Sequence, residues 1–240
     1  MYFFLILSFR ICHVSSTYHL VPVIKSTWGS SLPHIVYFSD RADDDIPTVD
    51  SGVPNKERGH CAKTFAILQH FSKIVGVTPP QSDFFSWLLI VDDDTLVHLY
   101  TQILQIFEVF VDINDIHFQI IIGERYGYGF STSGSSGYDY PTGGSGYMVF
   151  SVSAVRTIVS ECECPTEDSP DDMIIGVCAR RTGIVVVHSA AFHQARHIDY
   201  PEARLLPISF HKFEDIDPLG VYMTYLHEHP TTHNEEKSEL

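Results

Sequence analysis

The segment Trp87-Leu-Leu-Ile-Val-Asp-Asp-Asp-Thr-Leu96 constrains this chain more than any other. Its first half is apolar at every position, which suits a strand buried on both faces of an α/β sheet. It then runs straight into three carboxylates. In open α/β sheets ligands bind at the carboxyl ends of the strands, and Asp92, Asp93 and Asp94 are expected there. Three adjacent acids repel one another and destabilise the chain unless a cation offsets them. Hard oxygen ligands of this kind select Mg²⁺ or Mn²⁺. The competing reading is a solvated acidic turn.

The surrounding pattern supports such a sheet. Strand-like apolar runs fall at 3–9, 35–38, 87–91, 118–122, 147–150 and 184–187. Helical spacing falls between them, at 58–74 (Cys61, Phe65, Leu68, Phe71), at 99–110 and, after a capping Ser151, through Val155, Ile158 and Val159. Run 3–9 reads as a first strand rather than a signal peptide, because no basic segment precedes it and no small-residue cleavage site follows. This alternation predicts an α/β fold with helices on the faces of a sheet. Stretch 123–146 breaks the alternation. It is rich in Gly, interleaved with Tyr126, Tyr128, Tyr138 and Tyr140, and reads as a long loop suited to contact with a sugar or nucleotide. A surface insertion is the alternative.

Charge narrows the partners. The formal net charge is −15, from 15 Lys+Arg against 30 Asp+Glu. That balance repels nucleic acid and anionic membrane, so no nucleic-acid partner is expected. A nucleotide can still bind if a divalent cation bridges its phosphates. No run of 18 apolar residues suggests a membrane-spanning helix. The five cysteines include Cys162-Glu163-Cys164, a poor zinc spacing. The four in the body of the chain fit either two disulfides in an oxidising compartment or buried thiols.

Two further groups offer chemistry. Asp171-Asp172 follows Pro170 and opens a helix, where carboxylates serve as caps or, as a pair, supply a base. His188, His193, His197 and His211 lie late in the chain, and an imidazole can complete a carboxylate metal shell. Local sequence singles out none of them.

The carboxylate triplet, Thr142-Gly-Gly-Ser-Gly-Tyr147, Asp171-Asp172 and Phe192-His193 stand in the order seen in the inverting, fringe-like beta-1,3-glycosyltransferases. Longer blocks narrow the resemblance. Ile46-Pro-Thr-Val-Asp50, Gly52-Val-Pro-Asn55, Gly123-Glu-Arg-Tyr-Gly-Tyr-Gly129, Pro170-Asp-Asp-Met173, Phe192-His-Gln-Ala-Arg196 and Ile208-Ser-Phe-His-Lys212 are similar to the branch that glucosylates O-linked fucose.

The resemblance implies a GT-A fold with a mixed central sheet, a UDP-glucose donor, Mn²⁺, and O-fucosylated thrombospondin type 1 repeats as acceptors. It implies a catalytic domain over 1–226, without the family's N-terminal region, and a polar tail over 227–240. Lys237-Ser-Glu-Leu240 resembles an endoplasmic reticulum retention signal. By position, Asp94 and His193 would ligate the metal, and Asp172 would be the catalytic base. Asp92, Asp93, Lys25, Gly143 and Gly144 would face the donor. Another UDP-sugar donor, or a non-catalytic glycan-binding role, are the rival readings.

Overall fold

The computed structural model describes residues 5–10, 14–32, 34–56, 59–77, 87–98, 118–130, 137–142, 147–200, 207–213 and 215–227. The helical expectation at 99–110, Gly143, Gly144 and the tail at 237–240 lie outside them.

In chain order the elements are β1 (Leu5–Arg10), α1 (Val14–Ser26), β2 (Ile35–Ser39), β3 (Thr48–Asp50), α2 (Cys61–Val77), β4 (Trp87–Asp92), β5 (Thr95–Val97) and β6 (Ile120–Gly123). There follow β7 (Tyr126–Tyr128), β8 (Tyr138–Tyr140), β9 (Met148–Ser151), α3 (Val152–Glu161), α4 (Asp171–Thr182), β10 (Val185–His188), β11 (Ser209–His211) and a short α5 (Pro218–Val221). The six strand-like runs of the sequence are β1, β2, β4, β6, β9 and β10, each displaced by two residues or fewer.

The main sheet has the order β10-β6-β9-β4-β1-β2-β3. Its neighbours pair in parallel except around β9, which is antiparallel to both β4 and β6. All the other strands therefore point their carboxyl ends at one edge. That edge carries Asp92 at the end of β4, Gly123 at the end of β6 and His188 at the end of β10, with Tyr147 entering β9 beside them.

Both faces of β4 are covered. Trp87, Leu89 and Val91 pack in one cluster with Val21, Ile24 and Trp28 from the α1 side and with Phe192, Phe210 and Val221. Leu88 and Ile90 pack in the opposite cluster with Phe65, Leu68 and Phe71 of α2 and with Val155, Ile158 and Ile175. Each such side chain contributes about 1.5–3 kcal/mol on burial. This is the mixed sheet with helices on both faces that a GT-A arrangement requires.

Local chemistry sets the helix limits. Ser151 caps α3 by accepting from the Ala154 N–H. Helix α4 begins after Pro170 and stops at Gly183, whose φ of 78° is left-handed, with Arg180 and Arg181 in its last turn. Two disulfides, Cys61–Cys164 and Cys162–Cys178, join α2 and α4 to the segment between α3 and α4.

The Gly-rich stretch is not a featureless loop. It contains the antiparallel pair β7–β8, in which Tyr126 faces Tyr140 and Tyr128 faces Tyr138. Cross-strand aromatic pairs of this kind stabilise a short hairpin. Helix α4 presses on β8 through Gly176, where an added Cβ would lie 2.6 Å from the Asp139 carbonyl oxygen.

Candidate active site

The carboxylate triplet forms the turn between β4 and β5. Asp92 and Asp93 are buried, and Asp94 is partly exposed. Strand β5 pairs antiparallel with β11, with Thr95 opposite His211. The Lys212 N–H donates to the Asp94 carbonyl. This register delivers an imidazole from far along the chain to the acidic turn. His211 Nε2 lies 2.7 Å from Asp94 Oδ1 and 3.7 Å from Asp92 Oδ2.

The opposite ring nitrogen of His211, Nδ1, lies 3.1 Å from the Gln194 carbonyl, to which it donates. That contact fixes the ring and leaves Nε2 facing the acids. Burial pushes the His211 imidazole toward neutrality. The charge and hydrogen bond of Asp94, then Asp92 and the Gln194 carbonyl, outweigh it and raise its pKa. Burial also acts to raise Asp94, but the His211 charge and hydrogen bond prevail and hold its carboxyl below the ordinary range. A proton on this imidazole would offset the charge of the two acids.

Ligand atoms from Asp92, Asp94 and His211 lie within 4.8 Å of one another. Two carboxylate oxygens and a nitrogen on one focus, with the ring braced from behind, fit a divalent cation. A cation held there would take the place of a proton on Nε2.

His193, the imidazole that the resemblance favoured, does not join this group. It is buried, stacked on Tyr200 with ring centroids 3.9 Å apart, and also stacked on Phe210 at 5.3 Å. Burial lowers its pKa against the pull of Glu124. The difference arises from pairing. Phe192 bridges Ser209 in parallel, and the His193 N–H donates to the Ser209 carbonyl. The segment after Phe192 therefore runs beside β11 and gives His211 a backbone carbonyl. The His193 ring goes into the aromatic packing.

Lys25 is in the last turn of α1, beside Tyr37 of β2, which lies two strands across the sheet from β4. It is exposed, with its ammonium 5.6 Å from the Tyr37 ring centre and 3.5 Å from the Asp45 carbonyl. The structure does not bring it to the carboxylates.

Asp171 and Asp172 are the first helical residues of α4, and Pro170 occupies the cap position. Neither acid is the cap that local sequence favoured. Both are buried, and they face different partners. Asp171 accepts from the buried Thr64 hydroxyl at 2.7 Å, which ties α4 to α2. Asp172 lies one turn before Gly176 and shares its approach to β8. Burial, followed by the Asp172 charge, raises the Tyr140 hydroxyl pKa, and Asp172 also contributes at Tyr138.

A chain of contacts leads from Asp172 to the acidic turn. Tyr140 stacks on Tyr126, with centroids 5.9 Å apart. The Tyr126 hydroxyl accepts from Gln194 Nε2 at 3.3 Å, and the Gln194 carbonyl holds His211. Asp172 and the Asp92, Asp94 and His211 group thus belong to one connected polar edge. The sequence leaves His211 as one of four equivalent histidines and singles out none of Gln194, Thr64 and Glu124. The alternation in Ile208-Ser-Phe-His211, apolar then polar, marks a strand, and it was the one available signal for His211.

Comparison with known proteins agrees with this picture. The Fringe-like family model matches residues 11–232. The chain is 46% identical over 210 residues to a beta-1,3-glucosyltransferase of Mus musculus, covering 86% of this chain and 40% of that protein. It is 47% identical over 210 residues to a beta-1,3-glucosyltransferase of Homo sapiens, covering 86% and 39%. The chain therefore spans about two fifths of the length of the curated relatives it matches. Among solved structures, a glycosyltransferase involved in glycosylation of the major capsid of PBCV-1 has a TM-score of 0.46 at 16% identity, covering 86% of this chain and 92% of that one. The galactosyltransferase LgtC with donor and acceptor sugar analogs scores 0.43 at 12% identity, covering 88% and 87%. Likenesses this low carry no functional weight.

Proposed function

Because this chain belongs to the Fringe-like family, we propose that it is the catalytic domain of an inverting, cation-dependent beta-1,3-glucosyltransferase. The proposed donor is UDP-glucose, and the acceptor is O-linked fucose on thrombospondin type 1 repeats. The observation that carries the reading is the convergence of Asp92, Asp94 and His211 at the carboxyl edge of the sheet. The mouse and human relatives, both beta-1,3-glucosyltransferases, supply the reaction class.

In this reading Asp92, Asp94 and His211 hold Mn²⁺. When bound, the cation supplies Lewis-acid stabilisation of the charge on the departing UDP. Asp172 accepts the proton of the fucose 3-hydroxyl as that oxygen attacks the anomeric carbon of glucose in a single displacement. The Tyr138 and Tyr140 rings beside Asp172 offer flat surfaces and hydroxyls to an acceptor sugar. Gly143 and Gly144 retain a proposed place near the donor. The structure gives Lys25 no such support. Two disulfides favour an oxidising compartment. With the Lys237–Leu240 tail, they support a site of action in the endoplasmic reticulum lumen.

The test is transfer from a panel of UDP-sugars to an O-fucosylated repeat, with and without Mn²⁺. The reading requires Mn²⁺-dependent glucose transfer by the folded chain. Preference for another UDP-sugar rejects the donor assignment, and absence of any transfer rejects the enzyme.

A further inference from the structure

Glu124 follows directly on β6 and lies outside the acidic turn. Its neighbours on both sides are fixed. The Gly123 carbonyl accepts from the Ser189 N–H at 2.9 Å, and the Arg125 N–H donates to His188 Nδ1 at 3.2 Å. A Cβ on Gly123 would fall 2.1 Å from the Pro141 carbonyl oxygen, so the backbone there has little room to shift. From this mount, Glu124 Oε2 accepts from the Gln194 N–H at 3.0 Å and from the Tyr200 hydroxyl at 2.8 Å.

Both bonds bear on the cation group. The next carbonyl along the chain from that N–H, on Gln194 itself, accepts from His211 Nδ1, while the Ala195 carbonyl accepts from the His211 N–H at 3.1 Å. Tyr200, held by the same carboxylate oxygen, stacks on His193 and so packs the other side of the segment.

An imidazole that binds a cation through one nitrogen needs its other N–H on a fixed acceptor. Partners of that kind affect metal affinity about 10–100-fold. Here the acceptor is a backbone carbonyl between the Phe192 bridge and the 3-10 turn His197–Asp199, and Glu124 adds two hydrogen bonds to that segment. We infer that Glu124 is a positioning residue for the cation site, clamping the Gln194 peptide so that His211 Nε2 stays directed at Asp92 and Asp94. The inference rests on the proposed cation site and adds to it a residue that touches neither cation nor substrate.

The test is Mn²⁺ titration of the purified chain, followed by electron paramagnetic resonance, for the unmodified protein and variants shown to be folded by circular dichroism. Glu124→Ala is expected to weaken Mn²⁺ binding about 10–100-fold. Glu124→Asp, which keeps the charge but withdraws the oxygen, shows a similar loss and serves where the alanine variant does not fold. Glu124→Gln keeps a carbonyl acceptor and most of the affinity. Unchanged binding by folded Glu124→Ala or Glu124→Asp overturns the inference. So does a loss in Glu124→Gln equal to that in Glu124→Ala, which would assign the effect to charge. If the unmodified chain itself binds no Mn²⁺, the site reading fails instead.

Discussion

Two runs of adjacent aspartates, at 92–94 and at 171–172, meet the same electrostatic difficulty in different ways. The first lies in a tight turn between strands and takes its positive charge from a distant imidazole. The second lies in the first turn of a helix, where the dipole favours negative charge, and one member takes a hydroxyl from α2. The first region is held by strand register and, among the described residues, has no covalent tie. The second is cross-linked by two disulfides that reach α2 and α4. In the proposed reading the cation site is built on a polar cluster and the base on a stapled helix.

The largest effect should separate the two runs by role. Asp172→Asn is expected to lower kcat about 10²–10⁴-fold, the usual worth of a general base, while Mn²⁺ and UDP affinities stay unchanged. Steady-state glucosyl transfer and calorimetry on one preparation check this. A parallel loss of cation affinity would place Asp172 in the first region.

Next is the staple. Replacing Cys61 and Cys164 by alanine should cost about 2–5 kcal/mol of stability, read from denaturant midpoints. Below the unfolding transition, turnover should fall before Mn²⁺ affinity does, because the disulfide ties α2 to the segment that leads into α4.

A smaller effect divides the second pair internally. Asp171→Ala removes the hydrogen bond between the Thr64 hydroxyl and α4 and should cost about 1–3 kcal/mol. Double substitution with Thr64→Val should recover part of that loss, because both polar partners are then removed.

The smallest concerns His193. Its folded pKa is lowered by burial, so the unfolded chain binds the proton more readily. Its contribution is complete above the unfolded value, about 6.5, and is lost as pH falls from there through the folded value. His193→Phe should flatten that part of the stability profile. An unchanged slope would mean that another group titrates there.

The sequence revealed these two regions unequally. Apolar strands running into polar turns announced β4 and the acids after it, because burial on both faces leaves a continuous hydrophobic record. The start of α4 was legible through Pro170 and its acids. The partners of the acids were not. Four late histidines were equivalent in sequence, and only the pairing of β5 with β11 decides that His211 reaches Asp94. Register across more than a hundred residues leaves little local trace. The β7–β8 hairpin was hidden for a related reason: glycine content suggested a loop, while the stabilising contacts lie between tyrosines on different strands. Asp171 and Asp172 read as alike, and only the packing of α4 between α2 and β8 makes one structural and turns the other toward the tyrosines.

The proposed mechanism depends on His211 gripping the cation with Asp92 and Asp94, and Mn²⁺ titration of His211→Ala beside His193→Phe decides whether it does. The His211 variant is expected to lose cation binding while the folded His193 variant keeps it. Retained binding in the first with loss in the second would contradict it.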